Sequence, residues 1–118
     1  MEYLSDAWFE AANAALVGFD GGSTRVRIEH RLSSAGGEFR YHLVIDNNGA
    51  RFDASPTRSA DVILRQSVET ALAVRCGEVA ALEAVQDGRI GVEGDPRRLI
   101  DTAASVNAVG EKLAELDL

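Results

Sequence analysis

The spacing of apolar residues changes along the chain between a helical period and a strand period. In the first segment, apolar residues recur every three or four positions, which predicts a helix over residues 6–17 with one buried face. Ser5 can cap this helix, because its hydroxyl oxygen can accept an unpaired N–H of the first turn. Gly18 follows and is expected to end it. Trp8 is interpreted as a core anchor of this helix rather than a ligand-stacking residue, because tryptophan buries a large area wherever it packs.

Four segments with a period of two come next, over residues 25–32, 38–46, 50–54 and 61–66. The turn Asn47-Asn48-Gly49 is typical of a hairpin between the second and third strands. In the first two strands, the inward positions are mainly apolar and the outward positions mainly charged. The inward set consists of Val26, Ile28, His30, Leu32, Phe39, Tyr41, Leu43 and Ile45. This pattern predicts a sheet that is covered on one face and solvated on the other.

The helical period returns after residue 66. Helices are predicted over residues 67–76 and 78–86, followed by a short strand within residues 88–95. Gly94 suits a sharp turn, Asp95 is a good N-cap, and Pro96 fits the first position of a last helix. Gly110 is a weak point where that helix can bend or split.

The order of elements is therefore helix, four strands, two helices, strand and helix. Separate runs of strands and helices are typical of the α+β class. The pattern predicts an antiparallel meander that is covered on one face by helices. A chain of 118 residues with 46% hydrophobic residues is expected to fold as a single domain over residues 1–118.

Charge and cysteine content narrow the range of partners. The formal net charge of −7 argues against nucleic acid and anionic membrane surfaces, which both attract basic patches. Cys76 is the only cysteine, so neither an intramolecular disulfide nor a cysteine-based zinc site is expected. The acidic N-terminal segment does not resemble a signal peptide, and no apolar run reaches the ~20 residues that span a bilayer. We therefore expect a cytoplasmic protein without an integral membrane segment.

The residues that could bind a metal ion or act in catalysis have simpler structural interpretations. His30 and His42 fall on opposite faces of the predicted sheet and so are not expected to share a metal ion. Asp87, Glu93 and Asp95 are interpreted separately as a turn carboxylate, a solvated strand residue and a helix cap. We expect no metal, no cofactor and no enzymatic activity. The remaining catalytic hypothesis requires His30 to lie within hydrogen-bond reach of Glu93 or Asp95.

The residue sizes on the two sides of the predicted interior differ. The inward sheet face is bulky, whereas the helices that should cover it are rich in alanine. Small helix residues can let the helices close tightly on the sheet. Alternatively, they can leave an apolar space that an apolar ligand would fill. The sequence leaves both outcomes open.

Four segments together resemble the sterol carrier protein 2-like family. Residues 60–64 (Ala-Asp-Val-Ile-Leu) resemble its Ala-Asp-hydrophobic strand, and residues 71–77 resemble its helix ending in glycine. Residues 78–86 resemble the helix that follows, and residues 88–95 its Gly-Lys-hydrophobic-x-hydrophobic-x-Gly-Asp segment. The resemblance covers roughly residues 38–113.

This resemblance implies a five-stranded, mostly antiparallel sheet with helices on one side that encloses an apolar tunnel. The implied partner is a fatty acid, an acyl-CoA or a sterol-like molecule. The ligand-binding residues expected from inward phase and bulk are Phe39, Tyr41, Phe52, Leu72, Val79, Leu82, Val85, Ile100, Val106 and Val109. The alternative hypothesis is an accessory protein-interaction or dimerisation domain with a collapsed tunnel, so a homodimer is a second expected assembly.

Overall fold

The computed structural model describes residues 2–118, and a five-stranded sheet lies at the centre of the fold. The strands are β1 (Val26–Ser34), β2 (Gly37–Asp46), β3 (Gly49–Asp53), β4 (Val62–Ser67) and β5 (Gly91–Gly94). Their order across the sheet is β3-β2-β1-β4-β5. Neighbouring strands are antiparallel except β1 and β4, which are parallel. The predicted α+β class with a mostly antiparallel sheet is confirmed, but the simple meander is wrong.

Asp61 attaches the start of β4 to β1 at one end of the parallel pair. The Asp61 N–H donates to the carbonyl oxygen of Arg27 over 2.8 Å. In return, the Arg27 N–H donates to the Asp61 carboxylate, also over 2.8 Å. The chain between β3 and β4 therefore crosses from one edge of the sheet to the far side of β1.

The helices are α1 (Asp6–Ala15), α2 (Val68–Arg75), α3 (Ala81–Gln86), α4 (Pro96–Asp101) and α5 (Ala103–Ala114). Three of them begin at side-chain caps that the sequence predicted. The Ser5 hydroxyl accepts from Trp8 N–H, and the Ser67 hydroxyl accepts from Thr70 N–H. The Asp95 carboxylate accepts from the first backbone N–H groups of α4. Each cap satisfies donors that a helix start otherwise leaves unpaired.

The predicted last helix breaks at Thr102 and not at Gly110. The Thr102 hydroxyl donates to the carbonyl oxygen of Arg98 over 2.7 Å and so competes with the backbone for that acceptor. Gly110 remains inside α5. The segment predicted as one helix is therefore divided into the short helix α4 and the longer helix α5.

The core lies between the inner face of the sheet and helices α1, α2 and α5. Trp8 and Phe9 of α1 pack edge to face with ring centres 5.2 Å apart, and both approach Phe52 of β3. Asn13 joins α1 to β3, because its side-chain amide donates to Phe52 O over 3.1 Å and accepts from Phe52 N over 2.7 Å. Asn13 thus pairs backbone groups that an edge strand would otherwise leave open.

The outer face of the sheet is not solvated throughout, contrary to the sequence-based prediction. Residues 56–60 of the crossing segment lie beside outer-face side chains, and Glu29 and His42 are 4% and 0% exposed. The Arg27 guanidinium donates to His42 Nδ1 over 3.0 Å, so Nδ1 carries no hydrogen. The hydrogen of the ring is therefore on Nε2, which donates to Glu29 over 2.9 Å. Burial raises the pKa of Glu29, but hydrogen bonds from His42 and Arg31 outweigh it and hold that pKa below its usual value.

Gly94 is required where β5 turns into α4. Its φ of +94° is unfavourable for other residues, and a Cβ at this position would lie 2.5 Å from the carbonyl oxygen of Asp61. This glycine lets β5 pass close to the start of β4, which brings α4 and α5 back over the sheet.

Candidate functional site

A cavity of about 530 Å³ lies between the inner face of the sheet and the helices. Its sheet wall is formed by inward-facing residues of β1 to β4: His30, Tyr41, Leu43, Phe52, Leu64 and Gln66. The helical wall includes Trp8 of α1, Ala71 of α2, and Val106 and Val109 of α5. The interior predicted from bulky strand residues against small helix residues is therefore not fully packed.

The cavity reaches the surface between the α2–α3 connection and α5. The exposed residues Gly77 and Ala80 form one side of this mouth, and the exposed residues Gly110 and Ala114 form the other. These four residues have small side chains, whereas Arg75 and Asn107, which are exposed and also line the cavity, have larger ones.

Five of the ten predicted ligand-binding residues line this cavity: Tyr41, Phe52, Val79, Val106 and Val109. The strand residues among them follow from the two-residue period, which fixes the face on which each side chain lies. Their role in binding stays a prediction, since the structure gives their position only.

The other five predicted residues, Phe39, Leu72, Leu82, Val85 and Ile100, do not line the cavity. Leu82 is 68% exposed because α3 begins at Ala81 rather than at residue 78, and Ala84 takes the buried position. Ile100 is 74% exposed because the break at Thr102 ends the apolar stripe that was predicted to continue through it. Placing these two side chains at an internal site was wrong.

Leu72 and Phe39 lie outside the cavity for local reasons. In α2 the smaller neighbour Ala71 faces the cavity, and Leu72 is 36% exposed. Phe39 lies near the β1–β2 turn and is 38% exposed, with its ring centre 6.1 Å from that of Phe9. Both residues lie at the margin of the core.

Sequence reasoning missed Trp8, Leu64 and Gln66 as cavity residues. Trp8 was assigned to the core, and it is indeed 3% exposed, but its side chain also forms part of the cavity wall. Leu64 and Gln66 lie two residues apart on one face of β4. The alternation along β4 was the available signal, and the polarity of Gln66 obscured it.

The ionisable groups in the sheet wall of the cavity are uncharged at neutral pH. Burial lowers the pKa of His30 from 6.5 to about 4, and the nearby His42 acts in the same direction. The His30 ring stacks on that of Tyr41, with ring centres 4.8 Å apart and an angle of 4° between their planes. Burial also raises the pKa of Tyr41 well above its usual value, and the adjacent Tyr3 adds to the effect.

Arg75 contributes positive charge at the edge of the cavity. Its guanidinium donates to the carbonyl oxygen of Asp117 over 2.8 Å and lies 5.1 Å from the ring centre of Tyr3. Arg75 is exposed, so its charge is largely solvated. Its hydrogen bond to Asp117 directs the guanidinium toward the C-terminal segment.

The three acids near β5 serve separate structural roles. Asp87 pairs with Arg89, and Asp95 caps α4. Glu93 lies opposite Ile63 in the sheet register and forms an ion pair with Arg65, on the face away from His30. The histidine–acid pair that the catalytic hypothesis requires is therefore not assembled by these residues.

Residues 2–118 contain neither a metal-binding cluster nor a membrane-spanning helix. No group of three histidine, cysteine, aspartate or glutamate side chains in this range is arranged to hold a metal ion. Over the same residues, no helix combines the length and apolar character needed to cross a membrane.

Comparison with known proteins identifies the fold. No protein-family model matches the sequence, and no curated protein sequence matches it either. A crystal structure of sterol carrier protein 2 superposes with a TM-score of 0.74 and 17% identity, covering 94% of this chain and 96% of that one. The solution structure of a conserved hypothetical protein from Thermus thermophilus gives a TM-score of 0.73 and 18% identity, covering 98% and 90%.

A third similar structure is that of palmitated sterol carrier protein 2-like 2 from Aedes aegypti. It has a TM-score of 0.64 and 20% identity, covering 86% of this chain and 88% of that one. At these identities the similarity shows the fold. The chain therefore has the sterol carrier protein 2 fold, and the resemblance drawn from its sequence is confirmed at that level.

Proposed function

We propose that this protein binds an apolar small molecule, a fatty acyl chain or a sterol-like ring system, in the cavity between its sheet and helices. The observation that carries the proposal is a cavity of about 530 Å³ walled mainly by apolar side chains within this fold. Sites for small molecules are typically hollows of about 300–1,000 Å³ with mostly apolar walls and few polar groups. A palmitated protein of the same fold supports the choice of ligand class.

The hydrophobic effect would supply the binding free energy. Each buried methylene contributes about 0.8 kcal/mol, which corresponds to about a fourfold gain in affinity. Affinity for a homologous series of straight-chain ligands is therefore expected to rise about fourfold per added methylene until the chain exceeds the cavity. The chain would enter between the α2–α3 connection and α5, where the wall residues are small.

We also propose that the protein acts as a binding module and not as an enzyme. The groups best placed to act on a bound molecule are His30 and Tyr41, and both are uncharged and stacked on each other. A general base works best when its pKa lies near the operating pH, and a pKa of about 4 makes the imidazole of His30 a weak base at neutral pH. The carboxylates of Glu93 and Asp95 are engaged elsewhere, so neither of these two acids orients His30 for that role.

A substitution in the cavity wall tests the proposal. Val106 lines the cavity and is half-buried, so Val106→Phe would fill part of the space. Val17 is 82% exposed and lies outside the cavity, so Val17→Phe is a matched control with the same change in volume. Affinity would be measured by native mass spectrometry and calorimetry with decanoic, dodecanoic and tetradecanoic acids and their alcohols.

We expect Val106→Phe to weaken binding about tenfold, since the larger ring would exclude roughly two ligand methylenes at about 0.8 kcal/mol each, and Val17→Phe to leave affinity within about twofold. Equal affinities of the two variants, or affinities independent of chain length, would refute binding in this cavity. If both variants still bind the ligand equally and the protein forms a stable dimer, the accessory interaction domain would be favoured instead.

A further inference from the structure

A second cavity, of about 340 Å³, lies on the outer face of the sheet, away from the sheet–helix cavity described above. We call it the outer pocket. Its lining comes from outward-facing residues of β1, β2 and β4 and from residues 56–60 of the crossing segment. The charged side chains in this lining are three arginines and one carboxylate: Arg31, Arg40, Arg58 and Glu29. The outer pocket is therefore positive, although the formal net charge of the protein is −7.

The sheet register places arginines directly opposite one another beside this pocket. Arg31 of β1 lies opposite Arg40 of β2 and, on its other side, opposite Arg65 of β4. Like charges in directly opposite positions destabilise a sheet. Arg65 has its own partner, because it forms an ion pair with Glu93. The positive charge that remains is concentrated at Arg31 and Arg40, which both line the outer pocket.

Glu29 supplies one negative charge to this cluster, and its oxygens already have partners. Oε2 accepts from Arg31 Nε over 2.8 Å, and Oε1 accepts from His42 over 2.9 Å. Arg40 Nη1 lies 3.7 Å from Oε1, beyond hydrogen-bond distance, and its side chain is 57% exposed. Arg58 is exposed and forms no ion pair with any residue of the range 2–118. The guanidinium groups of Arg40 and Arg58 are therefore open to a ligand.

Two open guanidinium groups favour an anion of the phosphate type. A guanidinium presents a planar fork of N–H donors that pairs with two phosphate oxygens at once. A phosphate monoester carries about −1.5 to −2 charges at neutral pH, which balances Arg40 and Arg58 together. The hydroxyl groups of Thr57 and Ser59 also line the pocket and can donate to the remaining oxygens. A carboxylate brings a single charge and would leave one arginine unbalanced.

The size and lining of the outer pocket favour a small organic molecule. Its volume of about 340 Å³ lies within the range of about 300–1,000 Å³ that is typical of small-molecule sites. Pro56, Ala60 and Ile63 form an apolar part of the wall against which a carbon skeleton can pack. The net charge of −7 disfavours approach to an anionic membrane, so the phosphate is expected on a free molecule and not on a lipid in a bilayer.

We propose that the outer pocket binds a small, soluble phosphate monoester, and that Arg40 and Arg58 hold its phosphate group. Arg31 stays paired with Glu29 and adds attraction at longer range. This site lies on the opposite face of the sheet from the sheet–helix cavity, so it does not depend on the proposed binding of an apolar molecule.

Calorimetry and ¹H–¹⁵N correlation spectra of the full chain, in a buffer without phosphate or sulfate, test this site. The probes would be glycerol 3-phosphate, inorganic phosphate, dimethyl phosphate and vesicles that contain phosphatidic acid. Backbone amide signals of residues 57–59 report the outer pocket. Methyl signals of Leu64 and Val109 report the sheet–helix cavity.

We expect glycerol 3-phosphate to shift the amide signals of residues 57–59 and to leave the methyl signals of Leu64 and Val109 unshifted. It should bind about tenfold more tightly than dimethyl phosphate, which carries a single charge. Raising the salt concentration should weaken binding, because salt screens charges at an open pocket.

Three arginine variants locate the binding site. Arg40→Gln and Arg58→Gln should each weaken the binding of glycerol 3-phosphate about tenfold, since each removes a charged hydrogen-bond donor. Arg97 is exposed and lies outside the outer pocket, so Arg97→Gln is a matched control that should leave affinity within about twofold. All three variants lose one positive charge, so a difference between them reports direct contact and not the overall charge.

Several results would overturn the proposal. Equal weakening in all three variants would show a general attraction to positive charge, and an absence of amide shifts at residues 57–59 would show that the outer pocket is empty. Binding of inorganic phosphate as tight as that of glycerol 3-phosphate would overturn the choice of an ester. Binding to the vesicles alone would overturn the choice of a soluble ligand.

Discussion

Replacing His30 by phenylalanine should remove a large part of the pH dependence of stability. The imidazole stacks on Tyr41, and a phenyl ring can keep that stacking without taking up a proton. In the native protein, burial lowers the pKa of His30 from 6.5 to about 4. His30→Phe therefore isolates the consequence of protonation from the loss of packing.

The sign follows from proton linkage. Below pH 6.5 the unfolded chain takes up a proton on His30, but the folded protein does so only near pH 4. The stabilising contribution is fully present above pH 6.5 and is lost as the pH falls toward about 4. A difference of about 2.5 pKa units corresponds to at most about 3 kcal/mol.

Urea unfolding followed by Trp8 fluorescence would measure this effect at a series of pH values. The parent protein should lose about 2–3 kcal/mol in the free energy of unfolding between about pH 6.5 and pH 4, and His30→Phe should lose much less. The imidazole C–H resonances that disappear in the variant identify His30 and give its pKa directly. A His30 resonance that titrates near pH 6.5, or an equal loss of unfolding free energy with falling pH in both proteins, would contradict the lowered pKa of His30.

Two further pairs of variants test the packing around the sheet. Gly94→Ala should destabilise the protein by about 1–3 kcal/mol more than Gly88→Ala. Both glycines have a positive φ, but only a Cβ at Gly94 would meet backbone atoms. Similar urea midpoints for the two variants would contradict this close contact at Gly94. Glu29→Gln should cost about 3 kcal/mol, since it leaves the largely buried guanidinium of Arg31 without its carboxylate partner, whereas Glu93→Gln should cost under about 1 kcal/mol because its ion pair is half-exposed. Thermal unfolding of the second pair would show a similar loss for both if burial of Glu29 were unimportant.

The starts of the helices were predictable wherever a capping side chain marked them. Ser5, Ser67 and Asp95 precede helices that begin at the next residue. Ala80 precedes α3 without a side-chain cap, and there the prediction began the helix three residues too early. Val79 therefore lies before α3, so the three-residue repeat of apolar positions that placed Leu82 inside does not run through one helix.

The strand register was predictable, but the connection between strands was not. Alternation alone placed Tyr41 and Phe52 on the inner face, because a strand period of two leaves only two choices. No local pattern tells whether the fourth strand pairs with its neighbour in sequence or crosses the sheet. That choice is set by contacts between residues distant in sequence, among them the one between Asp61 and Arg27.

Among the cavity residues as well, some positions were predictable from the local pattern and others were not. Val106 and Val109 keep their predicted phase within α5, whereas Ile100 lies before a break that Thr102 imposes through its own hydroxyl. Gln66 was not predicted to line the cavity, because a polar residue in a strand does not indicate a cavity beside it until the fold is known.

Intermolecular nuclear Overhauser effects would show directly whether an apolar chain lies inside the sheet–helix cavity. A ¹³C-labelled dodecyl ligand would be added to the protein, and contacts to assigned methyl groups would be recorded. We expect contacts from the ligand methylenes to Leu64 and Val109 in the cavity wall. Contacts restricted to the exposed methyl groups of Leu82 and Ile100 would contradict it.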